Sequence, residues 1–269
     1  MRSFRMWVGL VALSLFSILV LNFSSEIVPG TRFDGTGSYA IFGLIAFALM
    51  RWLRVWTLTY FAWPRFGWRF LVAFLLMLNF TIVQLRNETF SELDAWQWVR
   101  GAIFLVAVAF GEEIFSRGIV FGVLQRQGLV IAVLGSSVMF GLMHINSYLG
   151  QYFDPWRAYW HIMSATSFGI FACALMVVTR SIWMPIILHT FTNIGLLFSN
   201  VEEVTKVRST PVSVEFWSGV VQPAPVIATF LIPALILFWI NADTPLHPVL
   251  HRLAIKWKLV ELQNKDLSV

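Results

Sequence analysis

Long apolar runs separated by short polar segments dominate the pattern along this chain. A helix needs roughly 20 mostly apolar residues to cross a bilayer. The runs that approach this length predict eight transmembrane helices: Trp7–Phe23, Ser38–Thr59, Phe70–Leu85, Trp96–Gly118, Leu129–Leu149, Trp160–Thr179, Ile182–Ser199 and Val221–Ile240. The pattern therefore predicts an all-α, polytopic membrane helix bundle that forms one domain over residues 1–269, with a polar tail at 241–269.

The composition agrees with a membrane protein. Of the 269 residues, 58% are hydrophobic and only 12% are charged, about half the charged share of a soluble domain. The mean hydropathy is +0.74. These values exclude an ordinary soluble domain, a disordered chain and a collagen-like chain. Cys173 is the one cysteine, which excludes an intrachain disulfide and a cysteine-rich metal site.

The 19 Lys and Arg residues predict the orientation in the membrane. If the N-terminus is cytoplasmic, most of them fall on that side: Arg2, Arg5, Arg51, Arg54, Arg65, Arg69, Arg126, Arg180, Arg252, Lys256, Lys258 and Lys265. Because basic residues favour cytoplasmic loops, this skew predicts that both termini are cytoplasmic. The basic charge lies in short loops, so it does not indicate a nucleic-acid partner. The first run resembles a signal peptide without an obvious cleavage site, and we expect a retained anchor.

Two adjacent carboxylates and an arginine share the fourth predicted helix, in an otherwise apolar run. Glu113 and Arg117 are four residues apart and lie on one helical face, which predicts an ion pair. Glu112 points about 100° away and has no cation one turn further along its helix. This free carboxylate suits a general base. A structural ion-pair cluster or an ion-translocation site is the alternative interpretation.

Two later predicted helices carry the other candidate groups. His144 is a single imidazole in an apolar run, where it can also be a packing residue. On the seventh predicted helix, His189 and Asn193 are four residues apart and share a face. Such a pair can stabilise an oxyanion or can join two helices by a hydrogen bond.

These residues form three short motifs in order: Glu-Glu-x-x-x-Arg at Glu112–Arg117, Phe-x-x-x-His at Phe140–His144 and His-x-x-x-Asn at His189–Asn193. On three separate predicted helices, they resemble the motifs of the CPBP (also ABI) family, which includes the CAAX prenyl endopeptidases. The resemblance covers the motif core, at 96–200. The remaining predicted helices match that family in hydropathy alone.

The resemblance implies a glutamate-type intramembrane endopeptidase whose chamber opens to the cytoplasmic side. It implies that Glu112 and His144 hold and activate a water molecule. His189 and Asn193 are expected to stabilise the tetrahedral oxyanion, and the Glu113–Arg117 pair is expected to orient the site.

No cofactor is expected, although Glu112, His144 and His189 can supply three ligands to zinc, a disfavoured alternative. The expected partners are the lipid bilayer and a membrane-anchored protein or peptide, including lipidated or C-terminally anchored substrates. Compact length and short loops favour a bacterial plasma membrane. Two alternatives keep the same fold class: a non-proteolytic scaffold such as a bacteriocin-immunity protein, and a proton-coupled transporter that uses both carboxylates.

Overall fold

The computed structural model describes residues 36–86, 94–145, 154–197 and 212–241, with the backbone alone at 83–86 and 196–197. These segments are helical and contain no strand, which confirms the all-α prediction for them. In chain order the helices are α1 Thr36–Trp52, α2 Trp68–Arg86, α3 Ala95–Glu113, a π-helical segment Ile114–Val120, α4 Phe121–Leu124, α5 Leu129–Met143, α6 Pro155–Thr179, α7 Trp183–Thr192, α8 Phe216–Val221 and α9 Ala224–Ile240. The first predicted helix and the tail after Asn241 lie outside the described residues.

Several predicted helix boundaries differ from the observed ones. The second predicted helix ends early, because α1 stops at Trp52 and Arg54 adopts a left-handed backbone with φ 54°. Helix α6 begins five positions before the predicted start at Trp160, because Asp154 caps its N-terminus and Pro155 occupies the first turn. Hydropathy alone places the start of a helix at its first apolar residue, so it missed this polar first turn.

Helix α6 is the centre of the bundle. Its second half is buried almost continuously, from Ser167 to Thr179 with Ile170 as the partly exposed exception. It packs against α5, α9, α7 and α2, while α1 packs against α3. Close approach of α5 requires Gly141, because a Cβ there would lie 2.7 Å from the carbonyl oxygen of Ile162.

The turn between α6 and α7 lies inside the bundle. Ser181 and Ile182 are fully buried. The segment between α1 and α2 covers them: Ser181 donates to the carbonyl oxygen of Ala62 at 2.6 Å, and the Ile182 N–H donates to that of Tyr60 at 3.0 Å. Helix α7 follows this buried turn directly and packs against α3.

Two described helical segments are long and apolar enough to cross a membrane, Pro155–Thr179 and Phe216–Ile240. Three shorter helices are also apolar. The outward faces carry many large apolar side chains, each more than half exposed: Leu44 65%, Leu71 55%, Ile103 54%, Leu134 51% and Leu235 55%. An apolar surface distributed over so many helices suits contact with lipid rather than with water.

Candidate active site

Glu113, at the end of α3, connects two helices that are distant in sequence. Its Oε1 lies 3.1 Å from Nη1 of Arg117 and 2.8 Å from Nδ1 of His189. The side chains of Glu113 and Arg117 are both fully buried, and that of His189 is 5% exposed. The four-residue spacing therefore forms the expected ion pair, and one carboxylate oxygen joins α3 to α7.

The second carboxylate, Glu112, lies on the other side of the same imidazole. Its Oε2 is 3.8 Å from Nε2 of His189, within ion-pair range but too far for a hydrogen bond. Because a carboxylate oxygen can only accept, the Nδ1–H of His189 donates a hydrogen bond to Glu113, and Nε2 faces Glu112. Glu112 is 13% exposed whereas Glu113 is fully buried, so the pair consists of an outer and an inner carboxylate.

Aromatic rings enclose the buried guanidinium. The Cζ of Arg117 lies 4.4 Å from the ring centre of Phe140 on α5 and 5.8 Å from that of Phe168 on α6. Both rings also pack against His189, with centroid distances of 5.7 Å and 5.1 Å. Arg117 and His189 therefore share apolar walls that limit their hydration and strengthen their electrostatic interactions.

The cluster retains unused hydrogen-bonding capacity. Within the described segments, Glu113 Oε2, Ser116 Oγ, and Nε and Nη2 of Arg117 are buried without a hydrogen-bond partner. Buried polar atoms usually have hydrogen-bond partners, so these four atoms are exceptions among the described residues.

His144 lies beside this cluster rather than within it. Its Nδ1 is 2.9 Å from the carbonyl oxygen of Phe140, one turn earlier, and its ring packs edge-on against the Phe140 ring at 4.8 Å. A carbonyl oxygen only accepts, so Nδ1 donates and Nε2 of the neutral ring has the free lone pair. Phe140 thus links the two imidazoles, while no hydrogen bond or ion pair joins His144 to Glu112 in the described residues.

Asn193 stands just beyond the end of α7. The helix ends at Thr192, and the Asn193 N–H donates to the carbonyl oxygen of His189 at 3.1 Å. Its side chain is half-buried and makes no hydrogen bond to the described residues. Asn193 therefore remains one turn from His189, as the spacing predicts. Pro185 lies in the first turn of α7, where its missing N–H breaks no helical bond.

A π-helical segment begins immediately after Glu113. It covers Ile114–Val120 and is entirely buried. Such wider turns are rare and occur frequently at functional sites. The segment contains Arg117 and Ser116, so it determines how these side chains project from the end of α3.

The sequence did not identify three residues near the site. His161 on α6 has its ring centroid 4.6 Å from that of His144. Phe168 gave no signal among the many phenylalanines of this chain. Tyr39 on α1 is close enough to Glu112 to experience its charge. The sequence signal for His161 was an ionisable residue in an apolar run.

No group of three or more His, Cys, Asp or Glu side chains is arranged to hold a metal ion in the part of the chain that the structure describes. The zinc ligands considered from the sequence were Glu112, His144 and His189. Two of these meet in the cluster, whereas His144 is connected to it through Phe140.

The comparison with protein families gives one match. The model described as type II CAAX prenyl endopeptidase Rce1-like matches residues 94–195. This segment runs from the N-cap of α3 to just beyond α7 and contains every predicted site residue, so the resemblance drawn from the three motifs is confirmed. No curated protein and no solved structure matches the chain.

Proposed function

We propose that this chain, whose residues 94–195 belong to the Rce1-like family of CAAX prenyl endopeptidases, is a glutamate-type intramembrane endopeptidase. The observation that carries the proposal is the imidazole of His189 between two carboxylates. Glu113 binds Nδ1 at 2.8 Å and Glu112 faces Nε2 at 3.8 Å. A carboxylate next to an oriented imidazole is a combination that hydrolysis uses to activate water and to stabilise negative charge.

The inner carboxylate has an orienting role in this proposal. Glu113 accepts the hydrogen bond of Nδ1 and fixes the orientation of the His189 ring, as a buried aspartate does in a serine-protease triad. This orientation directs Nε2 toward the outer side of the cluster, where Nε2–H of a protonated ring can stabilise an oxyanion.

The outer carboxylate has the chemical role. Glu112 takes a proton from the attacking water, and His144 holds that water through the lone pair of its Nε2. Asn193, one turn beyond His189, supplies a second donor to the oxyanion that develops when water attacks the peptide carbonyl. Glu112 then gives the proton to the leaving amine as the C–N bond breaks and the oxyanion collapses to the carboxyl product. The apolar walls exclude bulk water, which strengthens each of these electrostatic interactions.

The expected substrates are membrane-associated proteins or peptides, including lipidated or C-terminally anchored ones. Such chains can enter from the lipid, in keeping with the apolar outer surface. The proposal includes eight transmembrane helices with both termini in the cytoplasm of a bacterial plasma membrane. It also includes a reaction without a metal or other cofactor.

Membrane peptidomics tests this function. Cells producing the wild-type chain should contain membrane-derived fragments that disappear with Glu112→Gln, which keeps the shape of the side chain and removes its basicity. Glu215→Gln, at an exposed position before α8, is the matched control and should retain the fragments. Identical fragment patterns for all three proteins would refute the peptidase proposal. Cleavage that a chelator removes and added zinc restores would refute the metal-free mechanism.

A further inference from the structure

We propose that His161 of α6 is a positioning residue that holds the ring of His144 in its working orientation. This inference rests on the proposed function, in which His144 is a catalytic imidazole. His161 lies outside the three motifs, and the two rings come from different helices. Their centroids are 4.6 Å apart and their planes meet at 62°, an edge-on arrangement.

The backbone of α5 and α6 brings these rings together. Gly141 lies against α6, where a Cβ would meet the Ile162 carbonyl oxygen at 2.7 Å and would also press on the side chain of Thr166. His144 lies three residues after Gly141, and His161 immediately precedes Ile162. The close helix contact therefore fixes the distance between the two imidazoles.

The position of His144 explains why its ring needs support. It is the C-cap of α5, where the α-helix gives way to 3-10 geometry at His144 and Ile145, so the ring lies at the less regular end of the helix. One hydrogen bond, from Nδ1 to the Phe140 carbonyl oxygen at 2.9 Å, still allows the ring to tilt about that bond. The Phe140 ring packs against it at 4.8 Å, and His161 provides a second ring contact, from α6. Together the two ring contacts hold the His144 ring from both sides, and this fixes the direction in which the lone pair of Nε2 points.

Enzyme kinetics provide the first test. The probe is an internally quenched peptide with a farnesylated C-terminal CAAX motif, presented in lipid bicelles. His161→Ala should lower kcat by about tenfold with KM unchanged, because a tilted His144 ring misplaces the attacking water without weakening substrate binding. His161→Phe should recover most of kcat because it restores an aromatic ring. Trp160→Phe is the matched control, since the Trp160 indole instead donates to the Gly219 carbonyl oxygen of α8.

A spectroscopic test does not depend on cleavage. The chain contains 5 histidines, so nitrogen-15 histidine labelling gives few signals, which substitutions can assign. The His144 signals should report an Nδ1–H tautomer in the wild-type chain, and they should shift or broaden in His161→Ala but remain in His161→Phe. Absence of peptide cleavage by the wild-type chain would count against the proposed function, while this measurement would still test the ring contact.

Three outcomes would overturn the positioning role. One is a wild-type kcat with unchanged nitrogen-15 signals in His161→Ala. Another is a loss in His161→Phe as large as in His161→Ala. The third is an increase of KM at constant kcat, which would assign His161 to substrate binding.

Discussion

The guanidinium of Arg117 is completely buried in an apolar bundle. Its removal from water therefore costs more free energy than the burial of any other side chain of the site. It forms one hydrogen bond with Glu113, and two phenylalanine rings lie close to its charge. Burial of an ion pair is compensated only while both partners are present. The stability of α3 and its π-helical extension should therefore depend on the pair as a unit.

Substitution of Arg117 by Met should lower the free energy of unfolding by about 3 kcal/mol, because it leaves the Glu113 carboxylate buried with His189 as its remaining partner. The double variant Glu113→Gln/Arg117→Met should recover most of this loss. Denaturation in mixed detergent micelles, followed by tryptophan fluorescence, measures both values. The single variant Glu113→Gln completes the comparison. If the free-energy losses of the two single variants add up to the loss of the double variant, the two groups are not coupled.

At the scale of elements, the contact between α5 and α6 depends on the absence of a side chain at Gly141. The neighbouring carbonyl oxygen of Ile162 is part of the backbone of α6, so it cannot move away as the end of a flexible side chain can. The same contact places His144 beside His161. A disturbance here should therefore affect both stability and catalysis.

Gly141→Ala should reduce the free energy of unfolding by about 1–3 kcal/mol, the usual effect of inserting a methyl group into a packed interface. Gly37→Ala is the matched control, since a Cβ at Gly37 of α1 would meet nothing within 4 Å. Thermal unfolding in detergent should separate the two variants. Equal melting temperatures for both would contradict the close contact.

The N-terminus of α6 depends on the carboxylate of Asp154. Burial disfavours its charge, but backbone N–H groups of Val212, Arg157 and Trp156, together with the Arg157 guanidinium, lower the pKa of Asp154 below its ordinary value. The bond from Val212, at 2.8 Å, connects the segment before α8 to α6. This cap therefore stabilises both the helix and the adjoining connection.

Asp154→Asn should lower the free energy of unfolding by at most about 1 kcal/mol at neutral pH, because the amide oxygen still caps the helix but the negative charge at its N-terminus is lost. Because folding lowers the pKa, the charge stabilises the protein fully above about pH 4, the value in the unfolded chain, and this benefit disappears as the pH falls through the folded value. The difference from wild type should thus be constant between about pH 7 and pH 5 and shrink below about pH 4. Unfolding curves over this range measure it, and Asp94→Asn, at the exposed cap of α3, is the control. A difference that grows on acidification would contradict this linkage.

At the scale of the whole molecule, apolar side chains lie both in the core and on the outer faces of the helices. The Phe216–Ile240 segment illustrates this, since only 28% of its most apolar window is buried within the protein. By contrast, 72% of the corresponding window in Pro155–Thr179 is buried. We therefore expect the former to face lipid and the latter to be surrounded by protein.

Cysteine labelling tests the proposed topology. Cys173 is the one cysteine of the chain and is fully buried, so an introduced cysteine should be the reactive one. An odd number of proposed membrane crossings separates Gly67 from Ser213. In intact bacteria, a maleimide confined to the outside of the plasma membrane should label Ser213→Cys, whereas Gly67→Cys should react only after lysis. The reverse pattern would invert the orientation, and labelling of both in intact cells would contradict the crossings between them.

The sequence by itself determined the features that depend on spacing within one helix. The Glu113–Arg117 pair follows from a rotation of 100° per residue, as does the placement of Asn193 one turn beyond His189. The all-α character also follows from the sequence, because a bilayer requires long apolar helices. These properties are local, so they do not depend on the packing of the bundle.

Only the tertiary structure decided which groups from different helices meet. Straight helices that start at one depth would separate His189 from the carboxylates, but in the folded bundle α7 packs against α3 and His189 lies between them. The contact of His144 with His161 likewise depends on the close approach of two helices. Relative depth and rotation are properties of the whole packed bundle, and no spacing within a single helix encodes them.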